Sequence, residues 1–368
     1  MEKIRKNRTI WLSILLVILT IGLCVILFMP NENQTGASLT VGFIQTGEIN
    51  DDGWNGEHYR AIKQACEKQG VELIVRENID EMSGECEQAI RELVDLGADM
   101  IILNSYNYGV EVSDVIEEYD GIAFYGISSE YRGKNMSAYF VRMYQARYLA
   151  GIVAGMQSEN GKIGYVAAMP NNEVNRGISA FALGVRSVAP EAEVIVTWTG
   201  AWDDEAKETE AVKRLVENEQ IDTVTYHQNQ EYVIRAAEEL GILSIGYHEY
   251  FEGYSERYLT AAVSDWEQMY RNMIREVQQG KANSELNYWL GMAEGTVSLA
   301  PYSGLVSEET IRAVEKAKEE ILSGWEVFSG VIYDNQGELR CSEKEVISDT
   351  MLLENFDWYA EGVRIYEE

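Results

Sequence analysis

Basic residues are scarce in this chain: 30 Lys plus Arg stand against 61 Asp plus Glu over 368 residues, a formal charge of −31 at pH 7. Such a balance repels phosphate backbones and anionic headgroups, which argues against nucleic acid as a partner. Histidine is scarcer still, with His58, His227 and His248 the only three. His58 falls early in a helical pattern among charged residues and reads as a surface residue. No Cys or acidic residue stands at a recognisable metal spacing to His227 and His248, so neither a metal nor a cofactor is expected. The cysteines are too far apart for a disulfide framework. Cys66 and Cys86 lie on the apolar stripes of helical patterns and Cys341 near a turn, the placement of buried thiols. No G-x-G-x-x-G follows a strand, and P-loop, G-x-S-x-G and H-E-x-x-H patterns are missing, so no enzyme signature is present.

One long apolar run does exist. Residues 9–29, "TIWLSILLVILTIGLCVILFM", carry no charge, and at ~1.5 Å per residue they reach about 31 Å, the thickness of a hydrocarbon core. The basic stub 1–8 before them puts the N-terminus inside and the rest of the chain outside. Cys24 sits within the run instead of ending it, and no small-residue cleavage site follows. An uncleaved transmembrane helix is therefore expected in preference to a lipid anchor at Cys24, with an extracytoplasmic body on the cell membrane. Residues 30–38, polar and aperiodic, read as a linker.

From residue 39 the pattern changes. Short apolar runs ("LTVGFIQ", "VELIVREN", "DMIILNS", "IAFYGIS", "AYFVRM") alternate with helical stretches that stop at glycine. The alternation then restarts at "YQARYLAGIVAGMQ". Two α/β lobes with mostly parallel sheets follow, the chain returning to the first before ending in the second. The expected division is 39–141 with 266–292 for lobe 1, and 142–265 with 293–368 for lobe 2. The spaced glycines of "GIVAGMQSENGKIG" read as helix packing and a C-cap.

Ligands of open α/β sheets bind beyond the carboxyl ends of the strands, and the loops there are rich in polar and aromatic groups. Asp51 and Asp52 could form a catalytic pair, but adjacent turn residues seldom face one atom, and aspartates before a helix more often cap it. Trp54 lies in a polar loop with no apolar period around it, and Trp202 does the same in the other half. Two such rings in equivalent loops point to a sandwich around a flat ligand. His227 and His248, at the ends of consecutive strands, could pair with polar ligand atoms.

The stretches "VGFIQTGEINDDGWN", "KIGYVAAMPNNEVNRGISAFALGVRSVAPEAEV", "TWTGAWDDEAKETEAV", "AEGTVSLAPYSG" and "ENFDWYAEGV" resemble the basic membrane protein family of solute-binding receptors. The resemblance implies a bilobed type I periplasmic-binding-protein fold with three crossovers, a purine-type ligand between the lobes and an ABC permease as partner. By position, Asp51, Trp54 and Asn55 match the first-lobe purine motif, and Trp202 matches the opposing aromatic. Ser105 and Tyr106 match the loop after the third strand, while His227, Gln228 and Asn229 stand where the family often has His-Thr-Asp. Two departures matter. His248 replaces the aspartate that accepts from ribose hydroxyls in nucleoside binders, and Ala293 stands where a basic residue often precedes Glu294 and Gly295. A nucleobase is therefore expected ahead of a nucleoside. The alternative from another class is a membrane-anchored ligand sensor or regulatory protein with the same fold.

Overall fold

The computed structural model describes residues 39–50, 53–129, 131, 133–282 and 288–367. Residues 9–29 with Cys24, the linker 30–38, and Asp51 lie outside the described residues. Among the described residues, no helix is long and apolar enough to cross a membrane.

The early apolar runs become strands β1 (Thr40–Ile44), β2 (Glu72–Arg76), β3 (Met100–Leu103), β4 (Ala123–Ile127) and β5 (Met136–Val141). Helices α1 (Trp54–Gln69) and α2 (Glu85–Asp95) separate the first three. Every residue of β1, β3 and β5 is buried, as strands covered on both faces require.

The chain continues through α3 (Met143–Gln157), β6 (Lys162–Ala167), α4 (Asn172–Val188), β7 (Glu193–Trp198), α5 (Glu205–Arg214) and β8 (Thr223–His227). It goes on through α6 (Tyr232–Leu240), β9 (Leu243–His248), β10 (Tyr258–Ser264), α7 (Trp266–Gln278), β11 (Tyr288–Leu290) and β12 (Val297–Leu299). Helix α8 (Glu308–Leu322), the hairpin strands β13 (Ile332–Tyr333) and β14 (Leu339–Cys341), helix α9 (Asp349–Glu354) and β15 (Val363–Ile365) complete it.

Two sheets result. One has six strands in the order β11-β5-β4-β3-β1-β2 and the other seven in the order β12-β10-β9-β8-β6-β7-β15. All pairings of the first are parallel, and in the second only β10 with β12 is antiparallel. The chain passes between the sheets three times, after β5, after β10 and after β11, and these passages are bonded together. The Arg142 amide donates to the Leu290 carbonyl at 2.7 Å, and the Asp265 amide to that of Thr296 at 2.8 Å. The Gln145 side chain accepts from the Met292 amide at 2.8 Å.

Gly151 and Gly155 of α3 lie against α4, where a Cβ on Gly151 would strike the Phe181 carbonyl and one on Gly155 would come within 2.8 Å of the Val185 carbonyl. The helices approach backbone to backbone, and α4 is thereby fixed with its first turn at the mouth of the sheet. Cys66, Cys86 and Cys341 are buried free thiols.

Candidate functional site

A cleft of about 1010 Å³ lies between the two sheets' carboxyl ends, at the upper end of what small-molecule sites occupy. From the six-stranded side it is lined by Trp54 and Asn55 at the start of α1 and by Ser105 and Tyr106 after β3. From the seven-stranded side come Trp202 after β7, His227 and Asn229 at the end of β8, and His248 at the end of β9. The structure brings these eight together; Asp51 lies outside the described residues.

Each is held for a local reason. The Asn55 side-chain oxygen accepts from the Gly47 amide at 3.1 Å and the Thr46 hydroxyl at 3.3 Å, closing the loop after β1 onto the first turn of α1. Ser105 donates to Glu81 at 2.5 Å, and Asn107 bonds the same carboxylate through its amide and side chain at 2.8 and 2.9 Å. On the other side the Gln228 amide nitrogen faces the Ala201 and Trp202 carbonyls at 2.9 and 3.2 Å, and its oxygen the Thr199 hydroxyl at 2.8 Å.

Behind Trp54 stands an aromatic wall. His58 stacks between Trp54 and Trp266, with ring centroids 4.1 and 4.3 Å away, and its Nδ1 lies 2.5 Å from the Tyr270 hydroxyl. His58 is thus fully buried, not on the surface as its neighbours in sequence imply. The partners that bury it come from α7, 212 positions on for Tyr270, and that packing overrides the local charge pattern. Burial, helped by nearby His248, holds its pKa well below the ordinary histidine value. It is neutral and structural.

His248 links the two sides of the cleft. The Trp202 carbonyl accepts from the Asn229 amide at 2.9 Å, the Asn229 carbonyl lies 3.1 Å from His248 Nε2, and His248 Nδ1 lies 3.2 Å from Glu57 on the first turn of α1. Both ring nitrogens face groups that only accept, so both bonds form together only in the imidazolium. Burial would lower its pKa, but Glu57, the Asn229 carbonyl and Glu249 together outweigh burial and raise it. His248 holds φ at 55°, a left-handed conformation costing on the order of 1–3 kcal/mol in a non-glycine residue, which these bonds offset.

Because the folded-state value lies above the ordinary one near 6.5, the tie is fully present below that pH and is lost as pH rises through the raised value. Glu57→Gln is expected to lower the His248 pKa in an NMR titration. It should also cost about 1–2 kcal/mol of stability at pH 6 and little at pH 9. Glu57, His248 and Glu249 each place a possible metal-ligand atom within 4.8 Å of the others. With both His248 nitrogens committed, the imidazolium itself supplies the positive charge these carboxylates require.

His227 has another role. Its Nε2 lies 3.5 Å from Glu173 on the first turn of α4, its Nδ1 is buried with no hydrogen-bond partner among the described residues, and its ring packs on Tyr247 at 4.1 Å. Burial, with the charges of Arg147 and His248 nearby, lowers its pKa against the opposing pull of Glu173. A neutral imidazole therefore donates through Nε2. Sequence reasoning missed Glu173 and Arg176, which also line the cleft. A glutamate one residue into a helix reads as an ordinary charge complementing the dipole, and the signal that could have marked it was its place after a strand's carboxyl end.

Residues 38–329 match the family described as Bmp, ABC transporter substrate-binding protein PnrA-like. The chain belongs to the Bmp family. A purine-binding protein of Brucella abortus (strain 2308) is 32% identical over 331 residues, spanning 88% of this chain and 93% of its own length. A putative ABC transporter glucose-binding protein of Haloferax volcanii is 30% identical over 91% of this chain and 82% of its own. An ABC transporter solute-binding protein structure from Aeropyrum pernix K1 superposes with a TM-score of 0.66 at 18% identity, covering 78% of this chain and 92% of that one. The fold is that of the periplasmic binding proteins. This Bmp protein is an ABC transporter substrate-binding protein of an extracytoplasmic family.

Proposed function

We propose that this protein captures a free purine base between Trp54 and Trp202 and delivers it to an ABC permease, with residues 9–29 holding it at the membrane as a single span. Lobes 39–141 with 266–292 and 142–265 with 293–368 are the closing jaws. Asp51, Asn55, Ser105, Tyr106, Asn229 and the two cleft histidines frame the ligand.

The observation that carries a base over a nucleoside is the state of His248. Its two nitrogens are turned to Glu57 and the Asn229 carbonyl, so it offers no acceptor to ribose hydroxyls. A site that pairs hydroxyls discriminates strongly for them, and one lacking that acceptor leaves a ribose hydroxyl enclosed in the cleft without its partner, at a cost in affinity. The purine-binding relative supports the ligand class.

Titration calorimetry of the full chain against guanine, hypoxanthine, adenine, their nucleosides and glucose tests this. Bases are expected to bind at least tenfold more tightly than the matching nucleosides, about the effect of one lost hydrogen-bond partner. Tighter nucleoside binding overturns the base assignment, and glucose binding alone overturns the purine class.

A further inference from the structure

We infer that Glu173 and Arg176 read the hydrogen-bonding edge of the base, and that this edge is guanine's, with two adjacent N–H donors followed by a carbonyl oxygen. The inference rests on the purine reading above and goes beyond it to the ligand's functional groups. Glu173 sits on the first turn of α4 and Arg176 just past it, and the start of the helix is fixed by the Asn171 side chain accepting from the Val174 amide at 2.9 Å. Three positions apart, they share one helix face, and both line the cleft.

Glu173 is built to stay ionised. Burial would raise its pKa, but His227, Arg176 and Tyr247 together bring it below the usual range. The Tyr247 hydroxyl donates to Oε1 at 3.3 Å and His227 Nε2 stands 3.5 Å from the same oxygen. Among the described residues nothing donates to Oε2. An ionised carboxylate only accepts, with about four lone-pair sites over its two oxygens. Capacity for ligand N–H groups therefore remains.

Arg176 is the complement. It is only 4% exposed, its guanidinium donates to the Leu352 carbonyl at 2.5 Å and lies 5.0 Å from the Trp289 ring. No carboxylate stands within ion-pairing distance among the described residues. One hydrogen bond among the described residues, from a group with five N–H donors, leaves a buried cation in need of acceptors.

An acceptor-only anion beside a donor-only cation selects a ligand edge of opposite polarity. Guanine offers N2–H and N1–H to the carboxylate in parallel and O6, with two lone pairs, to the guanidinium fork. Hypoxanthine keeps N1–H and O6 but lacks the amino group. Adenine has no carbonyl oxygen and meets the pair with a single amino or ring N–H for the carboxylate and a single-lone-pair ring nitrogen for the guanidinium. His227 and Tyr247 act as positioning residues that aim Glu173.

The test is calorimetry of the full chain with guanine, adenine and 1-methylguanine, and of Glu173→Gln with the first two. Guanine is expected to bind the natural protein at least tenfold more tightly than adenine. Glu173→Gln is expected to weaken guanine about 10- to 100-fold, the effect of losing charge-assisted bonds, while adenine changes less than about threefold. Its unliganded melting temperature separates lost recognition from a folding defect. The 1-methylguanine comparison deletes the N–H without touching the protein, and at least tenfold weaker binding than guanine is expected. Adenine binding as tightly as guanine, an unchanged guanine affinity in Glu173→Gln, or equal affinity for 1-methylguanine each overturns the inference while leaving the purine reading standing. Failure of every base to bind the natural protein overturns the purine reading itself, and the inference with it.

Discussion

Trp202→Ala weakens binding of a purine base about fivefold to a hundredfold, the measured range for removing one aromatic face from a stacked base. The loop that carries it keeps its shape, because its bonds run through the Trp202 carbonyl and the Gln228 amide. The unliganded protein therefore loses only the ring's partial packing against the core and His227, and its melting temperature falls slightly. Trp54→Ala has a comparable effect on affinity and an added effect on folding, since Trp54 also stacks on His58 and meets Trp266 edge-on at 5.8 Å. Calorimetry for affinity and thermal unfolding for stability separate the two. If both variants bind as tightly as the natural chain, the sandwich is wrong.

Arg147→Ala costs about 3–5 kcal/mol of stability. Arg147 is fully buried on α3, with its guanidinium over the rings of Tyr165, Tyr247 and Phe181 at 4.7, 5.0 and 5.4 Å. It donates to the Thr225 hydroxyl at 3.1 Å and the Tyr226 carbonyl at 3.0 Å. Truncation leaves a cavity against three rings and strips two acceptors of a charged donor, and the two losses add. Arg147→Met refills most of the volume and removes a buried charge that has no carboxylate partner among the described residues. It should retain most of the stability. Denaturant unfolding compares the variants. Equal losses in both would mean that the hydrogen bonds, and not the packing, dominate. Since Arg147 lies under Tyr247 and bonds the end of β8, Arg147→Ala is also expected to weaken ligand binding.

Much of this architecture was legible in the sequence. The alternation of β-branched runs with glycine-terminated helices specifies a covered parallel sheet, because strands buried on both faces are mostly apolar; β1, β3 and β8 are buried along their whole length, and β3 is apolar throughout. Trp54 and Trp202 stood out because a large ring in a polar loop has no packing explanation nearby. Legibility ended where meaning depends on distant partners. His58 looked exposed until α7 supplied Trp266 and Tyr270. His227 and His248 looked like ligand groups of one kind, yet the structure divides them: one aims a carboxylate, the other bonds across the cleft to Glu57. Glu173 and Arg176 were hidden because their spacing is that of any helix surface pair. Only the turn of α4 into the cleft gives them a function.

The most direct test of the central claim, a purine base held between Trp54 and Trp202, is a crystal structure of the protein grown with guanine. The account predicts the base lying flat between the two indole rings, with its amino edge toward Glu173 and no ligand atom bonded to His248. A base bound elsewhere in the cleft, or one that leaves both tryptophans uncovered, would contradict it.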